Sequence, residues 1–360
     1  DHIKNISKNN YDVYVISNFE GNIKKFNNLN VNLINLSFKR QINLFFDFYC
    51  FLKIFFIFLK LNPYMIVSIT PKAGLLSSIV SFSLNVKIRV HIFTGQVWAN
   101  KKNFFIKTLL LNFDKLISLL STHLLIDSYS QKNFLIKHGI IKNNKKAKVI
   151  LNGSMCGVDT EIFINNNLKR NQIRKKLKIN KKSLVLIYTG RINKEKGILN
   201  LVNIFSKLYL LKKNINLILI GRDEMGIRNI LKNKNLIREK IKVIKHSKNI
   251  EYFLQASDIF CFPSEREGFG LSLIEASSCK LPVICSDIYG LRDTMIHNIT
   301  GYKCNTKNEK KFLFYLKKLA FKPNLRIKLG NQGRRFVQKK FEKEDVILEF
   351  NKFFSKILSL

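Results

Sequence analysis

Acidic residues are scarce in this 360-residue chain: 24 Asp and Glu stand against 63 Lys and Arg, a formal net charge of +39. No Asp-x-Asp occurs, so a paired-carboxylate clamp for a metal on a diphosphate has no obvious ligands. Six cysteines are present, none in a C-x-x-C pair, and no histidine is spaced for a tetrahedral zinc site. Free thiols in a reducing cytosol are the default reading. No signal peptide and no solenoid repeat is evident. The basic excess is spread along the chain rather than gathered in a tail. It goes with an abundance of Lys, Asn, Ile and Phe, as a compositional drift through the whole protein would produce. A functional reading coexists with that one: attraction to anionic lipid headgroups, worth about 1 kcal/mol per basic residue near the surface. Charge alone would also suggest a nucleic-acid-binding protein, but the basic residues lack a clustered aromatic platform.

What is present is alternation. Short apolar runs at 13–17, 31–36, 65–69, 86–93, 124–128 and 149–151 are separated by helical patterns, notably 104–120 and 131–137. That order predicts a parallel sheet covered on both faces. A second α/β unit follows, with strands at 184–188, 215–220, 243–245, 259–262 and 282–285. Its helical patterns lie at 198–210 and 250–256, and helices at 310–319, 325–341 and 343–358 close the chain. The length suits two domains with a core each. The polar stretch 165–182 reads as a hinge and a solvated helix, with Arg174, Lys175, Lys176 and Lys178 as wet surface. The apolar run 42–61 is long enough to span a bilayer. However, Asn43, Asp47, Lys53 and Lys60 fall in one arc of about 140° at helical spacing, which predicts an amphipathic helix packed on the sheet. The chain opens as a helix followed by a strand, and the expectation is that a first strand and its glycine loop are missing from it.

The densest chemistry lies in SEREGFGLSLIEA (264–276). Glu267 and Glu275 flank a glycine-bracketed turn that opens into an apolar helix. Gly268 and Gly270 let a backbone approach a ligand closely. The first amides of that helix, near Phe269, Leu271 and Ser272, lack partners within it and offer a seat for an anion. Carboxylates beside such a seat repel a phosphate, yet they suit neutral hydroxyls on either side of one. A nucleotide-sugar has that layout.

With these residues in view, the chain resembles the retaining glycosyltransferases of family four. Their signature of Glu, seven residues and Glu reads here as Glu267 to Glu275. YTGRINKEKG carries Gly190, Arg191, Lys196 and Gly197, similar to the family's diphosphate-gripping loop. LNGSMCGVDTEIF (151–163) resembles its interdomain segment. TPKAGLL (70–76) and RVHIFTGQVWANKK (89–102) resemble a subgroup that builds bacterial surface polysaccharides. The five blocks occur in the family's order over most of the chain. The resemblance implies a GT-B fold, two facing Rossmann-like domains with parallel sheets and a cleft between them. The expected divisions are 1–164 on the acceptor side, 165–342 for nucleotide-sugar binding, and 343–360 as a helix crossing back.

The resemblance assigns Arg191 and Lys196 to the departing diphosphate, Glu267 to donor-sugar hydroxyls and Glu275 to the ribose. Gly190, Gly268, Phe269, Gly270 and Leu271 complete the donor site, and Gly221 and Arg222, with Asp223, wall the base pocket or form a plain turn. Glu265, with the wrong spacing to 275, is a bystander. On the acceptor side, Thr94 aligns nearest the slot of the family's sugar-contacting histidine, with His91 three residues earlier inside a strand. Thr94, Gly95 and Gln96 are candidates for the cleft floor. His91 is either a cleft residue or a buried core histidine, and Lys72 either meets acceptor phosphate or is surface. The implied reaction moves a hexose or N-acetylhexosamine from a nucleotide-sugar, UDP favoured, without metal or other cofactor. The implied acceptor is a glycan or a polyprenyl-diphosphate-linked glycan, and the implied place the inner face of the cytoplasmic membrane, with an anionic membrane surface as partner and no nucleic acid. The alternatives are a GT-B nucleotide-sugar epimerase, which would need an acid/base set that the motifs lack, and a non-catalytic nucleic-acid-binding protein.

Overall fold

Among the described residues every strand pairing runs parallel, so successive paired strands are joined by crossover connections, most of them helical. The computed structural model describes residues 2–6, 11–19, 23, 26–39, 42–305 and 308–359. The chain divides into two units, Asp1–Met155 with Asp345–Leu360, and Cys156–Glu344.

The first unit opens with α1 (His2–Ile6), then β1 (Tyr14–Ser17) and β2 (Asn32–Asn35), which form a two-stranded sheet. After α2 (Leu44–Leu61) come β3 (Met65–Ser68), α3 (Pro71–Ser83), β4 (Ile88–Phe93), α4 (Phe104–Leu120), β5 (His123–Ile126), α5 (Tyr129–Lys137) and β6 (Ala147–Val149). The four strands lie in the order β3-β4-β5-β6. On one face Ile117 of α4 and Leu135 of α5 pack with Leu124, Ile126 and Val149. On the other, Phe350, Phe353, Phe354 and Ile357 of the chain's last helix pack with Val90, Ile92 and Leu125. Burial on both faces explains why these strands read as near-continuous apolar runs.

Helix α2 departs from the orientation its sequence suggested. Asn43 caps it by accepting from the Phe46 amide, and Cys50, Ile54 and Phe58 are buried against Ile66, Val80 and Val86. That buried stripe overlaps the polar arc instead of opposing it. Asp47 is drawn in by an ion pair with Lys72 of α3, 2.7 Å, and the broader aromatic side is left exposed.

The second unit holds α6 (Asn167–Lys176), β7 (Leu184–Thr189), α7 (Ile198–Leu211), β8 (Ile215–Ile220), α8 (Ile227–Lys232), α9 (Asn235–Arg238) and β9 (Ile241–Ile244). It continues through α10 (Ile250–Gln255), β10 (Ile259–Phe262), α11 (Leu271–Ser278), β11 (Val283–Ser286), β12 (Gly301–Cys304), α12 (Glu309–Phe321) and α13 (Pro323–Lys340). The last helix, α14 (Lys343–Leu358), returns to the first unit. The six-stranded sheet has the order β12-β11-β10-β7-β8-β9. All residues of β7 and β8 are buried. Strand β12 escaped the sequence reading because GYKC is short and carries a lysine where an apolar residue would mark it.

The division falls at 155/156, not 164/165, because the interdomain segment belongs to the second unit. Val158 donates to Phe341 O and accepts from Lys343 N. Arg334 donates to the carbonyls of Thr160 and Phe163. The basic cluster on α6 also needs correction. Arg174 is 1% exposed, paired with Asp258 Oδ2 at 2.8 Å and bonded to the Ala256 and Ser183 carbonyls. It is an interior tie between α6 and the α10–β10 turn, not wet surface.

Candidate active site

The sheet of the second unit reverses direction between β7 and β10. From β7 the chain proceeds to β8 and β9 on one side, and from β10 to β11 and β12 on the other. Strands β7 and β10 are adjacent, with Ile259 opposite Leu186 and Phe260 opposite Ile187. In open parallel sheets the loops at such a switch point part in opposite directions, leaving a crevice at the carboxyl ends of the strands. The two loops there are residues 190–197, after β7, and 263–270, after β10. They hold the motifs that the sequence singled out.

The loops are stitched together by charge. Lys196 Nζ lies 2.5 Å from Glu267 Oε1 and donates to the Arg266 carbonyl at 3.1 Å. Arg266 in turn reaches back to Glu195 Oε2 at 2.8 Å. The Glu265 amide donates to the Glu195 carbonyl at 2.9 Å. Lys196 is 9% exposed, so its ammonium is fixed rather than swinging in solvent. The turn Lys194–Lys196 is a short 3-10 helix capped by Asn193, which accepts from the Lys196 amide. Gly197 then takes the left-handed conformation, φ 68°, and a Cβ there would lie 2.2 Å from the Pro263 carbonyl. Only glycine lets α7 start this close to the second loop.

Arg191 is held differently. Its Nη1 pairs with Glu224 Oε2 at 3.3 Å, and Asn193 donates to the same oxygen at 2.8 Å. Behind it, the Ile192 amide bonds to the Arg222 carbonyl and the Glu224 amide to the Ile192 carbonyl, continuing the β7–β8 pairing past the strand ends. Gly221 permits this approach: a Cβ there would sit 1.8 Å from the Gly190 carbonyl. Asp223 accepts from the amides of Met225 and Ile227, which makes it a local turn cap. Arg222 itself is exposed. The Tyr188 hydroxyl donates to the Arg191 carbonyl at 2.8 Å. Burial, followed by the charge of Glu267, keeps that phenol protonated, while Arg191 and Glu224 also act on it. Arg191, Glu224 and Glu267, from the two ion pairs, thus lie within electrostatic reach of one hydroxyl.

Glu275 lies apart from that pair, on α11. Among the described residues its carboxylate has no hydrogen-bond or ion-pair partner. Burial, and then the charge of Glu251 on α10, push its pKa up to about 7. At the start of α11, the Leu271 amide turns back to Phe269 O and the Leu273 amide to Gly270 O. The amides of Phe269, Gly270 and Ser272 have no partner among the described residues. Such amides present partial positive charge. Gly270 is also required by packing within the unit. Leu291 fills the space its Cβ would take, at 2.5 Å, and a Cβ on Gly290 would meet the Glu267 carbonyl at 2.1 Å. The 3-10 segment Tyr289–Thr294 thus backs the loop and holds it in shape.

In the first unit the candidates part company. His91 is 2% exposed, shares a 2.8 Å hydrogen bond with Ser68 Oγ and is roofed by Gly74, whose Cβ would fall 2.4 Å from the ring. Burial lowers its pKa to about 3, so it is a neutral core histidine and leaves the list of cleft residues. Lys72 is engaged by Asp47, so it is neither a bare surface lysine nor an unpaired seat for phosphate. Thr94 and Gly95, past the end of β4, are half-buried. The Thr94 carbonyl accepts from Gln96 Nε2 and Gln131 Nε2, both at 2.6 Å. Gln96 is buried and supports the loop rather than lining open space.

Three residues were missed by sequence reasoning. Glu195 and Arg266 form the outer ion pair that aligns the two loops; the alternation Glu-Arg-Glu facing Lys-Glu-Lys was the available signal. Asp127 stands just after β5, 7% exposed, and its carboxylate has no hydrogen-bond partner among the described residues. Burial raises its pKa to about 7. An acid at the carboxyl end of a parallel strand was the sign to follow. No group of three His, Cys, Asp or Glu side chains among the described residues is placed to hold a metal ion. None of the six cysteines, all of them described residues, is in a disulfide, and all but Cys156 are buried.

Comparison with known proteins accords with this geometry. Residues 169–336 match the family model described as glycosyl transferases group 1. The chain is 30% identical over 364 residues to the capsular polysaccharide biosynthesis glycosyltransferase CapM of Staphylococcus aureus, covering 99% of this chain and 93% of that protein. Among solved structures it is similar to sucrose-phosphate synthase from Thermosynechococcus elongatus, with a TM-score of 0.81 at 19% identity, over 99% of this chain and 92% of that one. It is also similar to Anabaena Alr3699/HepE in complex with UDP and glucose, with a TM-score of 0.75 at 15% identity, over 94% and 89%. These likenesses show the GT-B fold. The chain belongs to the glycosyl transferases group 1 family and is a glycosyltransferase.

Proposed function

We propose that this enzyme transfers a hexose or N-acetylhexosamine from a UDP-sugar to a lipid-linked glycan, with retention of anomeric configuration, in the assembly of a surface polysaccharide. The observation that carries the donor side is the pairing of Lys196 with Glu267 at the switch point, beside the unpartnered amides that open α11. In this reading the diphosphate sits on those amides with Lys196 and Arg191 as counter-charges. The sugar hydroxyls donate to Glu267 and the ribose hydroxyls to Glu275. As the anomeric C–O bond breaks, its electron pair passes to the diphosphate oxygen. Cations and amides already aimed there stabilise that charge more in the transition state than in the ground state. The acceptor hydroxyl oxygen forms the new bond, and its proton is released. Charge neutralisation is assigned to side chains and amides, so the reading needs no metal. Arg191 and Glu224 would separate, or tilt, to admit the anion.

Two likenesses support the finer choices. The name of CapM speaks of capsular polysaccharide, and the HepE structure holds UDP and glucose. The absence of any helix, among the described residues, long and apolar enough to cross a membrane is compatible with attachment to the cytoplasmic face of the membrane. A donor-hydrolysis screen with UDP-, GDP- and ADP-sugars tests the proposal, with the released sugar's first-formed anomer read by proton NMR. The expected result is hydrolysis of a UDP-sugar with retention, insensitive to EDTA. Preference for GDP- or ADP-sugars, inversion, or abolition by EDTA each overturns the corresponding part. Release of an epimerised sugar would favour the epimerase reading.

A further inference from the structure

The exposed apolar side chains of the first unit are concentrated on two helices. On α2, Phe45 is 93% exposed, and Leu44, Phe48, Phe56 and Leu59 are all more than half exposed. At 100° per residue these and Tyr49 span about 140° of the helix, with Lys53 and Lys60 along one border. On α4 the first turn carries Phe104 at 74% and Phe105 at 82% exposure, directly after exposed Lys101 and Lys102. A soluble surface rarely leaves so many phenylalanines in water. Helix α2 would have covered them by packing with its aromatic side inward. Instead it buries the side that carries Asp47.

The two patches begin at the same edge of the four-stranded sheet. Helices α2 and α4 both pack against α3, and each runs antiparallel to the parallel strands it serves, so their first turns lie at the sheet's carboxyl edge. The Asp47–Lys72 ion pair fastens the first turn of α2 to that of α3. From residue 42 to residue 120 the only carboxylates are Asp47, already paired, and Asp114. Asp114 is 5% exposed and bonded to Trp98 Nε1. The face is therefore aromatic and cationic with no free acid.

We propose that the α2–α4 face is where this enzyme seats on an anionic lipid bilayer, its phenylalanines entering the headgroup–acyl boundary and Lys53, Lys60, Lys101 and Lys102 meeting lipid phosphates. A second copy of the chain is a poorer occupant, because a self-complementary contact would press these lysines against their own images. The seat names the partner for the acceptor side of the reading above, and rests on that reading only for what the lipid carries. Helices that lie in an interface and leave their first turns at the sheet's carboxyl edge would present Thr94 and Asp127 to a lipid-borne glycan.

Vesicle co-sedimentation tests the seat without any catalysis. Full-length protein should bind phosphatidylcholine vesicles containing phosphatidylglycerol at least tenfold better than phosphatidylcholine alone. The variant Phe45→Ser/Phe48→Ser/Phe104→Ser/Phe105→Ser should lose that binding at least tenfold while keeping its melting temperature and UDP-sugar hydrolysis. Unchanged vesicle binding in this variant overturns the proposal, as does a wild-type dimer in sedimentation velocity that the same substitutions split. A second probe avoids any question of folding. The sole tryptophan, Trp98, is 1% exposed, so Phe45→Trp supplies a separate reporter. Its emission should shift to the blue on anionic vesicles and be quenched by lipids with brominated chains. No shift and no quenching contradict the seat even if hydrolysis proceeds normally.

Discussion

Glu275→Gln should make the free enzyme more stable and a worse binder of nucleotide, and both effects should vanish in acid. Glu275 is a partly buried carboxylate without a partner, and its pKa is moved from 4.5 to about 7 by burial and by Glu251. In the unfolded chain it ionises in the ordinary range. Between those values the folded state holds more protons than the unfolded state, so stability falls as pH rises through the window from about 4.5 to about 7. The shift is about 2.5 units, which at 1.36 kcal/mol per unit sets an upper limit of about 3 kcal/mol for the strain carried by the ionised form at about pH 8. Glutamine is neutral and removes it. Urea titrations should therefore show Glu275→Gln more stable than wild type at about pH 8, and equal to it at about pH 4, where both states are protonated. Binding runs the other way, because ribose hydroxyls need an acceptor in the ionised form. About nine-tenths of Glu275 is ionised at about pH 8 and about one-tenth at about pH 6, so uridine affinity should fall about tenfold across that range in wild type. In Glu275→Gln it should be weak and flat. Uridine, not UDP, is the probe, since it has no phosphate to titrate nearby. Reduced stability of the variant at about pH 8 would refute the electrostatic reasoning, and undiminished uridine binding would refute the ribose assignment.

Three other outcomes follow from named contacts. Lys196→Ala should lower turnover by at least about 10²-fold, as losing a preorganised charge at a developing anion does. It should also lower Tm by several degrees, because Glu267 is left without its cation; normal turnover would remove Lys196 from the site. Gly221→Ala forces φ 149° on a side chain whose Cβ meets the Gly190 carbonyl, and should cost about 3 kcal/mol or more in urea unfolding. A loss well below about 1 kcal/mol would mean that the segments after β7 and β8 do not approach at Gly190 and Gly221 as described. Arg174→Met should destabilise by about 1–3 kcal/mol through the buried Ala256 and Ser183 carbonyls it leaves without a donor, with Asp258 still paired to Arg170 at 2.6 Å, whereas Lys175→Ala at the exposed neighbouring position should be close to neutral; equal effects would contradict the burial difference.

The strands buried on both faces were the most legible feature, because a run such as Ile215–Ile220, apolar but for Asn216, has few other fates. The charge pattern of the two loops was legible as residue types but not as partners. Nothing in spacing says that Lys196 meets Glu267 while Arg191 meets Glu224, since that choice depends on how far β8 extends beside β7. The packing role of Gly270 was illegible for a related reason. A glycine in a ligand-like motif leaves room on one side only, and which neighbour takes it, here Leu291, is settled by a segment twenty residues away. Arg174 and α2 show the same limit in helices. Periodicity locates a polar stripe, but Asp258 turned one arginine inward, and Lys72 turned Asp47 inward and left the aromatic side of α2 in solvent. For His91, the strand position was readable and the roof provided by Gly74 was not.

A crystal structure of the full chain with UDP is the most direct measurement. The account places the diphosphate on the amides of Phe269, Gly270 and Ser272 with Lys196 within hydrogen-bond distance, and puts the ribose hydroxyls on Glu275. A diphosphate bound elsewhere, with Lys196 still closed on Glu267 and no contact to Glu275, would contradict it.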